Sequence, residues 1–322
     1  MGKLLQAVVL DGYTLNPGDL DWKPLESTVN LTVFDRTPAH QVIERAAPAD
    51  IIILNKVRIG EAELKQLPDL KAIFILATGY DNVDIKAAAK RHIPVHNVSG
   101  YSTESVAQHV FALIFALTNK VELHHQSVQA GKWSQSPDFS YTLAPIPELA
   151  GKKLGILGFG KIGKRVAEIG QAFEMEILVT RRSLRHDRIP GVNFVDQQEL
   201  FAQSDILSLH IPLTDQTNGI VNKANLGTMK KGAILINTGR GGLIIDQDLK
   251  EALESGQIAG AALDVLREEP PAVDHILLGV ANCLITPHIA WAGFASRKRL
   301  LEETAINISA YLKGTPRNQV NE

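Results

Sequence analysis

The glycine-rich stretch Lys153–Gly163, near the middle of the chain, most constrains what this sequence can fold into. Its apolar run Leu154–Leu157 leads into a Gly-x-Gly-x-x-Gly turn, and the segment Ile162–Phe173 follows with apolar residues at helical spacing. A second predicted strand, Met175–Val179, completes a strand–turn–helix–strand unit. This order is the βαβ fingerprint of dinucleotide-binding domains, and it favours nucleotide binding over a purely structural turn.

Each glycine of the turn has its own predicted role. Gly158 permits the tight turn, Gly160 lets the backbone approach a pyrophosphate, and Gly163 allows close packing of helix on strand. The phosphates are expected at the helix N-terminus, where free N–H groups and the helix dipole favour negative charge.

Strand-like and helix-like segments alternate along the rest of the chain, which predicts parallel sheets with helices on their faces. In the first hundred residues, the predicted strands are Leu4–Leu10, Asp50–Leu54, Leu70–Ala77 and Ile93–Val98, and the predicted helices are Gln41–Ala47, Glu61–Leu67 and Asp84–Arg91. After the fingerprint, strands are predicted at Val192–Val195, Asp205–Leu209, Gly232–Asn237, Ile258–Leu263 and Cys283–Thr286, with helices at Gln197–Gln203 and Asp246–Ser255. The fold class is therefore α/β, with two domains.

Two longer segments lie outside this alternation. Ser102 and Thr103 are predicted to cap one long helix from Glu104 to about Gly131, and Phe294–Lys313 reads as an amphipathic C-terminal helix. Between the long helix and the fingerprint, Trp133–Pro147 has prolines and aromatic residues without periodicity. It is either a surface loop or an arm that packs on a partner chain, and its apolar character favours the arm.

Composition excludes several classes of protein. The 322 residues carry a net charge of −2, which provides no electrostatic footprint for nucleic acid or anionic membranes. The single cysteine, Cys283, excludes an internal disulfide, and no apolar run is long enough to span a membrane. Neither a cleavable signal nor Cys/His spacing typical of a metal site is present, so we expect a cytoplasmic protein without a metal.

Polar side chains follow the predicted strands of the second domain, where ligands of open α/β sheets bind. Arg240 follows one strand, His288 follows another, and the acids Glu268 and Glu269 lie nearby. Each alone could be a surface ion pair or a buried structural residue. Together, an arginine, an acid and a histidine at strand ends predict a catalytic site.

Seven motifs together resemble the D-isomer-specific 2-hydroxyacid dehydrogenase family over essentially the full length. They are Ala77–Asp84, Ser105–His109, Gly158–Gly163, Ser208–Leu213, Asn237–Gly242, Leu263–Pro270 and Thr286–Ala290. Within the family, Asn55–Val57, Tyr101–Thr103, Gly131–Trp133 and His288–Trp291 resemble the glycerate dehydrogenase (hydroxypyruvate reductase) branch.

The resemblance implies roles for the residues at these strand ends. His288 acts as the acid that protonates the substrate carbonyl, and Glu269, which directly precedes the proline, pairs with it. Arg240 donates two hydrogen bonds, one to the substrate carboxylate and one to the carbonyl oxygen. The backbone amides of Ala77, Thr78 and Gly79 bind the other carboxylate oxygen.

The resemblance also implies a nicotinamide cofactor, and one position departs from the NAD pattern. The cofactor contacts implied by the motifs are Gly158, Phe159, Gly160, Lys161, Ile162, Gly163, His210, Pro212, Thr217, Thr238, Gly239 and Asp264. The strand after the fingerprint ends in Arg181 and Arg182, where an acid that binds the ribose hydroxyls is expected. Because arginines attract a 2′-phosphate, NADPH is predicted to be preferred, with stacking on adenine and use of NADH as the alternative.

The resemblance further implies two doubly wound parallel-sheet domains, flavodoxin-like and Rossmann, with a cleft that binds substrate. The predicted substrate domain comprises residues 1–101 and 291–322, and the Rossmann domain comprises 102–290, with about 120–148 as an arm of a homodimer. The expected reaction is reduction of hydroxypyruvate or glyoxylate to a D-2-hydroxy acid. Two alternatives remain: a phosphoglycerate-type dehydrogenase and a dinucleotide-sensing regulator with weak catalysis.

Overall fold

A computed structural model describes residues 4–181 and 189–321 of the chain. The chain divides into two compact units, Met1–Ser102 with Ala292–Glu322, and Thr103–Trp291. Among the described residues, none of the helices combines the length and the apolar character needed to cross a bilayer.

The first unit contains a five-stranded parallel sheet in the order β2-β1-β3-β4-β5. Its elements in chain order are β1 (Gln6–Val9), α1 (Lys23–Glu26), β2 (Asn30–Val33), α2 (Val42–Ala46), β3 (Ile51–Leu54), α3 (Glu61–Lys65), β4 (Ala72–Ile75), α4 (Ile85–Lys90) and β5 (Val95–His96). The central strand β3 and its neighbour β4 are fully buried because helices cover both faces of a parallel sheet. This strand order is that of flavodoxin-like folds.

The C-terminal segment also belongs to the first unit. It forms the long helix α11 (Phe294–Leu312). Near the start of α11, the buried Arg297 binds both carboxylate oxygens of Asp19 at 2.7 Å and donates to the Leu15 carbonyl at 2.9 Å. These bonds tie the last helix of the chain to the segment that follows β1.

The second unit contains a seven-stranded parallel sheet in the order β12-β11-β10-β9-β6-β7-β8. Its elements are α5 (Thr103–Thr118), α6 (Val121–Gln129), β6 (Lys153–Leu157), α7 (Lys161–Ala172), β7 (Glu176–Thr180), β8 (Val192–Phe194), α8 (Gln197–Gln203), β9 (Ile206–Leu209), α9 (Lys223–Thr228), β10 (Ile234–Asn237), α10 (Asp246–Glu254), β11 (Gly260–Leu263) and β12 (Cys283–Ile285). The strand order reverses beside β6, which makes its carboxyl end the topological switch point where ligands of such sheets bind. The predicted fold class of two doubly wound parallel sheets is confirmed.

One predicted element is wrong. The sequence pattern predicts a single helix from Glu104 to about Gly131, whereas the structure has two helices, α5 and α6. Lys120, between them, has a φ of 48° in the left-handed region, so the helical hydrogen-bond ladder stops there. Most of the apolar stripe that suggested one helix lies on α5, which is largely buried, while α6 is mostly exposed.

Candidate active site

The glycine turn between β6 and α7 has the geometry of a phosphate-binding loop. Gly158 has a φ of 101°, and a Cβ atom there would lie 2.5 Å from the His210 carbonyl oxygen. A Cβ at Gly163 would lie 2.2 Å from the Gly158 carbonyl oxygen, so side chains are excluded at both positions. At Gly160, by contrast, a Cβ would meet no described heavy atom within 4 Å. The turn is therefore open at Gly160, where a pyrophosphate fits against the N-terminus of α7.

The other predicted cofactor residues of this turn and of the neighbouring strand ends lie along the same edge of the sheet. Phe159, Lys161 and Ile162 complete the turn, His210 and Pro212 follow β9, Thr238 and Gly239 follow β10, and Asp264 follows β11. Burial lowers the pKa of His210 to about 4, so its ring is neutral at physiological pH, and its Nε2 lies 2.8 Å from the Ser208 hydroxyl. Thr217 donates its hydroxyl hydrogen to the Pro212 carbonyl at 2.7 Å, which holds the loop after β9.

Thr238 provides an independent sign of a ligand at this edge. Its Oγ1 is buried and has no hydrogen-bond partner within residues 4–181 and 189–321. Buried polar atoms are nearly always paired, so this hydroxyl is suited to a polar group of a bound molecule. The opening at Gly160 and this hydroxyl are two features that make this edge suited to a dinucleotide.

The strand end that would bind the adenosine ribose carries an arginine. Arg181 directly follows β7, and its guanidinium lies over the Phe194 ring at 4.5 Å from the ring centroid. Phe194 in turn contacts Phe159 of the glycine turn edge-to-face at 5.6 Å. The other predicted arginine, Arg182, lies outside the described residues.

His288 and Glu269 form a short hydrogen-bonded pair beyond the end of β12. The His288 Nδ1 and Glu269 Oε2 atoms are 2.6 Å apart, and Glu269 Oε1 accepts a hydrogen bond from the Leu266 backbone N–H at 3.1 Å. The carboxylate is thus held at both oxygens, and it orients the imidazole through Nδ1. Nε2 is then the ring atom that can exchange a proton with a substrate.

Arg240 lies on a loop that packs directly against the loop carrying Glu269. It follows β10, its Nη1 donates to the Gly239 carbonyl at 2.8 Å, and Asn237 Nδ2 donates to the Arg240 carbonyl at 2.9 Å. At the next residue, Gly241, a Cβ would lie 1.9 Å from the Leu266 carbonyl carbon. Only glycine permits this approach of the two loops.

Within the described residues, no group of three or more His, Cys, Asp or Glu side chains is arranged to hold a metal ion.

The predicted substrate-binding segment belongs to the first unit and follows β4. The Ala77 carbonyl accepts from the Val98 N–H at 3.0 Å, and the Thr78 hydroxyl donates to the Val98 carbonyl at 2.9 Å. These bonds fix the backbone of Ala77, Thr78 and Gly79 at the carboxyl end of the strand.

Sequence reasoning missed the residue that shapes the neighbouring loop of the first unit. Asp11 accepts hydrogen bonds from the backbone N–H groups of Asn55, Lys56 and Val57, at 2.7, 2.6 and 2.9 Å. In the sequence, Asp11 directly follows the first apolar strand. The strand-end rule, that polar residues just after parallel strands bind ligands, would have identified it if applied to the first domain as well as the second.

The comparisons with known proteins agree with this geometry. The family model for the NAD binding domain of D-isomer specific 2-hydroxyacid dehydrogenases matches residues 111–290. The chain is 44% identical to a hydroxypyruvate reductase of Blautia hydrogenotrophica, over 99% of this chain and 100% of that protein. It is 39% identical to a glycerate dehydrogenase of Methylorubrum extorquens, over 94% and 97% of the two chains. A solved acyclic imino acid reductase in complex with NADPH and D-Arg superposes with a TM-score of 0.87 at 32% identity, covering 98% and 100%. The chain belongs to the D-isomer-specific 2-hydroxyacid dehydrogenases, which are oxidoreductases that act on CH–OH groups and have a domain that binds a nicotinamide dinucleotide.

Proposed function

We propose that this enzyme reduces hydroxypyruvate or glyoxylate to the corresponding 2-hydroxy acid, forming the D isomer where the product is chiral. The observation that carries the proposal is the 2.6 Å pair of His288 and Glu269, in the same unit as the glycine turn. The names of the two similar proteins, hydroxypyruvate reductase and glycerate dehydrogenase, support the substrate class. A bound nicotinamide dinucleotide would supply the hydride that reduces the carbonyl carbon.

His288 is the proposed proton donor and acceptor of the reaction. Glu269 accepts the Nδ1–H hydrogen bond, which leaves Nε2 to give a proton to the carbonyl oxygen during reduction and to take it back during oxidation. The carboxylate beside the ring keeps Nδ1 and the ring in place while Nε2 exchanges the proton. General acid catalysis of this kind contributes roughly a hundred- to ten-thousand-fold to the rate.

Arg240 is the proposed anchor of the substrate. Its planar guanidinium can donate two parallel hydrogen bonds, to the substrate carboxylate and to the carbonyl oxygen, a geometry that lysine cannot reproduce. The backbone amides of Ala77, Thr78 and Gly79 are the proposed donors to the second carboxylate oxygen, because they follow a buried parallel strand and their segment is fixed by hydrogen bonds.

NADPH is the proposed preferred cofactor, bound along the strand-end residues described above. Thr180 ends β7 and Arg181 follows it, where NAD-binding domains usually place an acid, so no carboxylate at these two positions repels a 2′-phosphate. Arg182 would add a second positive charge. The catalytic efficiency with NADPH should exceed that with NADH, and replacing Arg181 by Asp should reverse the order. A clear NADH preference of the unaltered enzyme contradicts this proposal.

A homodimer is proposed from the apolar surface of α6 and the irregular segment after it. Phe139 is 90% exposed, Val121 68% and Trp133 52%. The segment is nevertheless ordered against α6, since Ser127 and Tyr141 share a hydrogen bond of 2.8 Å. An exposed apolar surface on a well-held segment is typical of an interface. Sedimentation should give a dimer, and replacing Phe139 by Asp should shift it towards the monomer.

A cytoplasmic location stays a prediction from the sequence.

The test is a panel of 2-oxo acids that varies the C3 substituent, assayed with NADPH and NADH. Hydroxypyruvate and glyoxylate should give the highest kcat/KM, and His288→Ala should remove most turnover while cofactor binding is retained. Exposed His40 provides a matched control, His40→Ala, which should leave turnover unchanged. Preference for a phosphorylated substrate would favour the phosphoglycerate alternative. Tight cofactor binding without turnover on any acid would favour the regulator.

A further inference from the structure

The backbone at His288 is held in a conformation that non-glycine residues rarely adopt. Its φ is 55°, in the left-handed region, where the Cβ atom crowds the backbone. A histidine stays in this conformation only when surrounding contacts determine it, and such strain concentrates at functional sites. The contacts that hold this turn therefore control where the imidazole points.

A buried carboxylate provides most of the backbone contacts of the turn. Asp264, only 1% exposed, accepts the N–H of Ile289 at 2.9 Å on Oδ1 and the N–H of Ala290 at 2.8 Å on Oδ2. The N–H of His288 itself bonds the Thr286 carbonyl at 2.9 Å. Three consecutive amides are thus paired, two of them with one side chain.

Asp264 is charged because other donors compensate for its burial. Burial raises the pKa of its carboxyl, but hydrogen bonds from His109, Thr286 and the Ala290 and Ile289 amides outweigh this effect and keep the pKa below its usual value. The Thr286 hydroxyl donates to Oδ1 at 2.6 Å, and His109 Nε2 lies 3.4 Å from the same oxygen.

Helix α5 supplies two side chains to this network from one face. Ser105 and His109 are four residues apart, which places them on the same side of a helix. The Ser105 hydroxyl donates to the Ala290 carbonyl at 2.7 Å, and His109 Nε2 lies 3.1 Å from Thr286 Oγ1. Because the Thr286 hydroxyl hydrogen points to Asp264, its oxygen accepts, and the His109 Nε2–H is the donor.

We propose that Ser105 and His109 are positioning residues for the reaction, which hold the Thr286–Ala290 turn so that His288 faces the substrate. His109 acts through Thr286 and Asp264, and Ser105 acts on the Ala290 carbonyl. Neither needs to touch the substrate. The inference rests on the proposed role of His288 as the acid, because the turn is held for that residue.

The experiment compares His109→Leu, which removes the donor, with His109→Gln, whose amide N–H restores one near the Nε2 position. The leucine variant should lower kcat with hydroxypyruvate by ten- to about a hundredfold, as small misplacements of a reacting group do. KM for NADPH should change little. The Tm should fall, because the buried Asp264 carboxylate loses a donor, and the glutamine variant should recover most of both kcat and Tm. Ser105→Ala should also lower kcat more than KM, and it decides the question if His109→Leu fails to fold. His40→Leu, in the first unit, is the control for loss of a histidine.

The outcomes separate this inference from the proposed function. If His288→Ala abolishes turnover while His109→Leu and Ser105→Ala keep a normal kcat, the positioning role is refuted and the proposed function stands. Equal losses in His109→Leu and His109→Gln, or a loss confined to KM for NADPH, also refute it. Normal turnover in His288→Ala overturns the proposed role of His288 and this inference with it.

Discussion

Replacing Gly241 by Ala should damage both the stability and the activity of the enzyme. A Cβ at this position would lie 1.9 Å from the Leu266 carbonyl carbon, 2.2 Å from its oxygen and 2.3 Å from the Arg267 nitrogen. Ordinary carbon contacts begin near 3.4 Å, so the two loops must move apart by more than about 1 Å. All three obstructing atoms are backbone atoms, and no side-chain rotation relieves the contact.

The movement reaches the His288–Glu269 pair through one hydrogen bond. Leu266 N–H donates to Glu269 Oε1, and Glu269 holds His288, so a displaced Leu266 displaces His288 as well. Overpacking of this kind costs about 1–3 kcal/mol of unfolding free energy. A misplacement of about 1 Å costs up to about a hundredfold in kcat.

Urea unfolding followed by circular dichroism and NADPH oxidation with hydroxypyruvate measure the two effects. Gly227→Ala is the matched control, because Gly227 lies in α9 and a Cβ there meets no described heavy atom within 4 Å. Its unfolding free energy should stay the same or rise by up to about 1 kcal/mol, since alanine favours helix over glycine. If Gly241→Ala matches this control in both measurements, the two loops do not need glycine at this position.

Three further predictions concern the cofactor turn, a titrating histidine and the C-terminal helix. Gly160→Ala should leave the unfolding free energy unchanged but weaken NADPH binding by titration calorimetry, since the open space at Gly160 is where we expect the pyrophosphate. For His210, whose pKa falls from 6.5 in the unfolded chain to about 4 in the folded one, the unfolded state takes up the proton first. The contribution of His210 to the unfolding free energy is therefore complete above pH 6.5 and is lost as the pH falls towards 4. The loss is at most about 3 kcal/mol, and His210→Gln should remove this part of the pH dependence in urea titrations. Arg297→Lys should lower the unfolding free energy by about 1–3 kcal/mol, because the buried Leu15 carbonyl and the paired Asp19 lose fixed donors, whereas the exposed Lys298→Ala should change little.

The parallel strands were predictable because most of them are short apolar runs between turn signals. The exception is β2, an edge strand of the first sheet, whose residues Asn30–Val33 alternate between exposed and partly buried and show no apolar run. Helix α9 was also missed, because its six residues are too short for a periodic pattern. The break at Lys120 between α5 and α6 was not predicted, because no proline or glycine marks it in the sequence.

The candidate site was predictable as a set of residue types at strand ends. That rule selected Arg240, His288 and the acids Glu268 and Glu269. The family resemblance then chose Glu269, which the structure places 2.6 Å from His288. It did not select Ser105 or His109, because they lie inside a helix whose apolar stripe suggests packing alone.

By itself, the sequence determined most of the elements, the parallel arrangement and the position of the glycine turn, because these depend on local periodicity and on the conformations that glycine permits. The tertiary structure alone decided how His288 is held. His109 and Thr286 are 177 residues apart in the chain, and their hydrogen bond exists only because β11, β12 and α5 belong to one compact unit. Local patterns report which face of an element is apolar, but a hydrogen bond between distant residues depends on where the whole fold places their atoms.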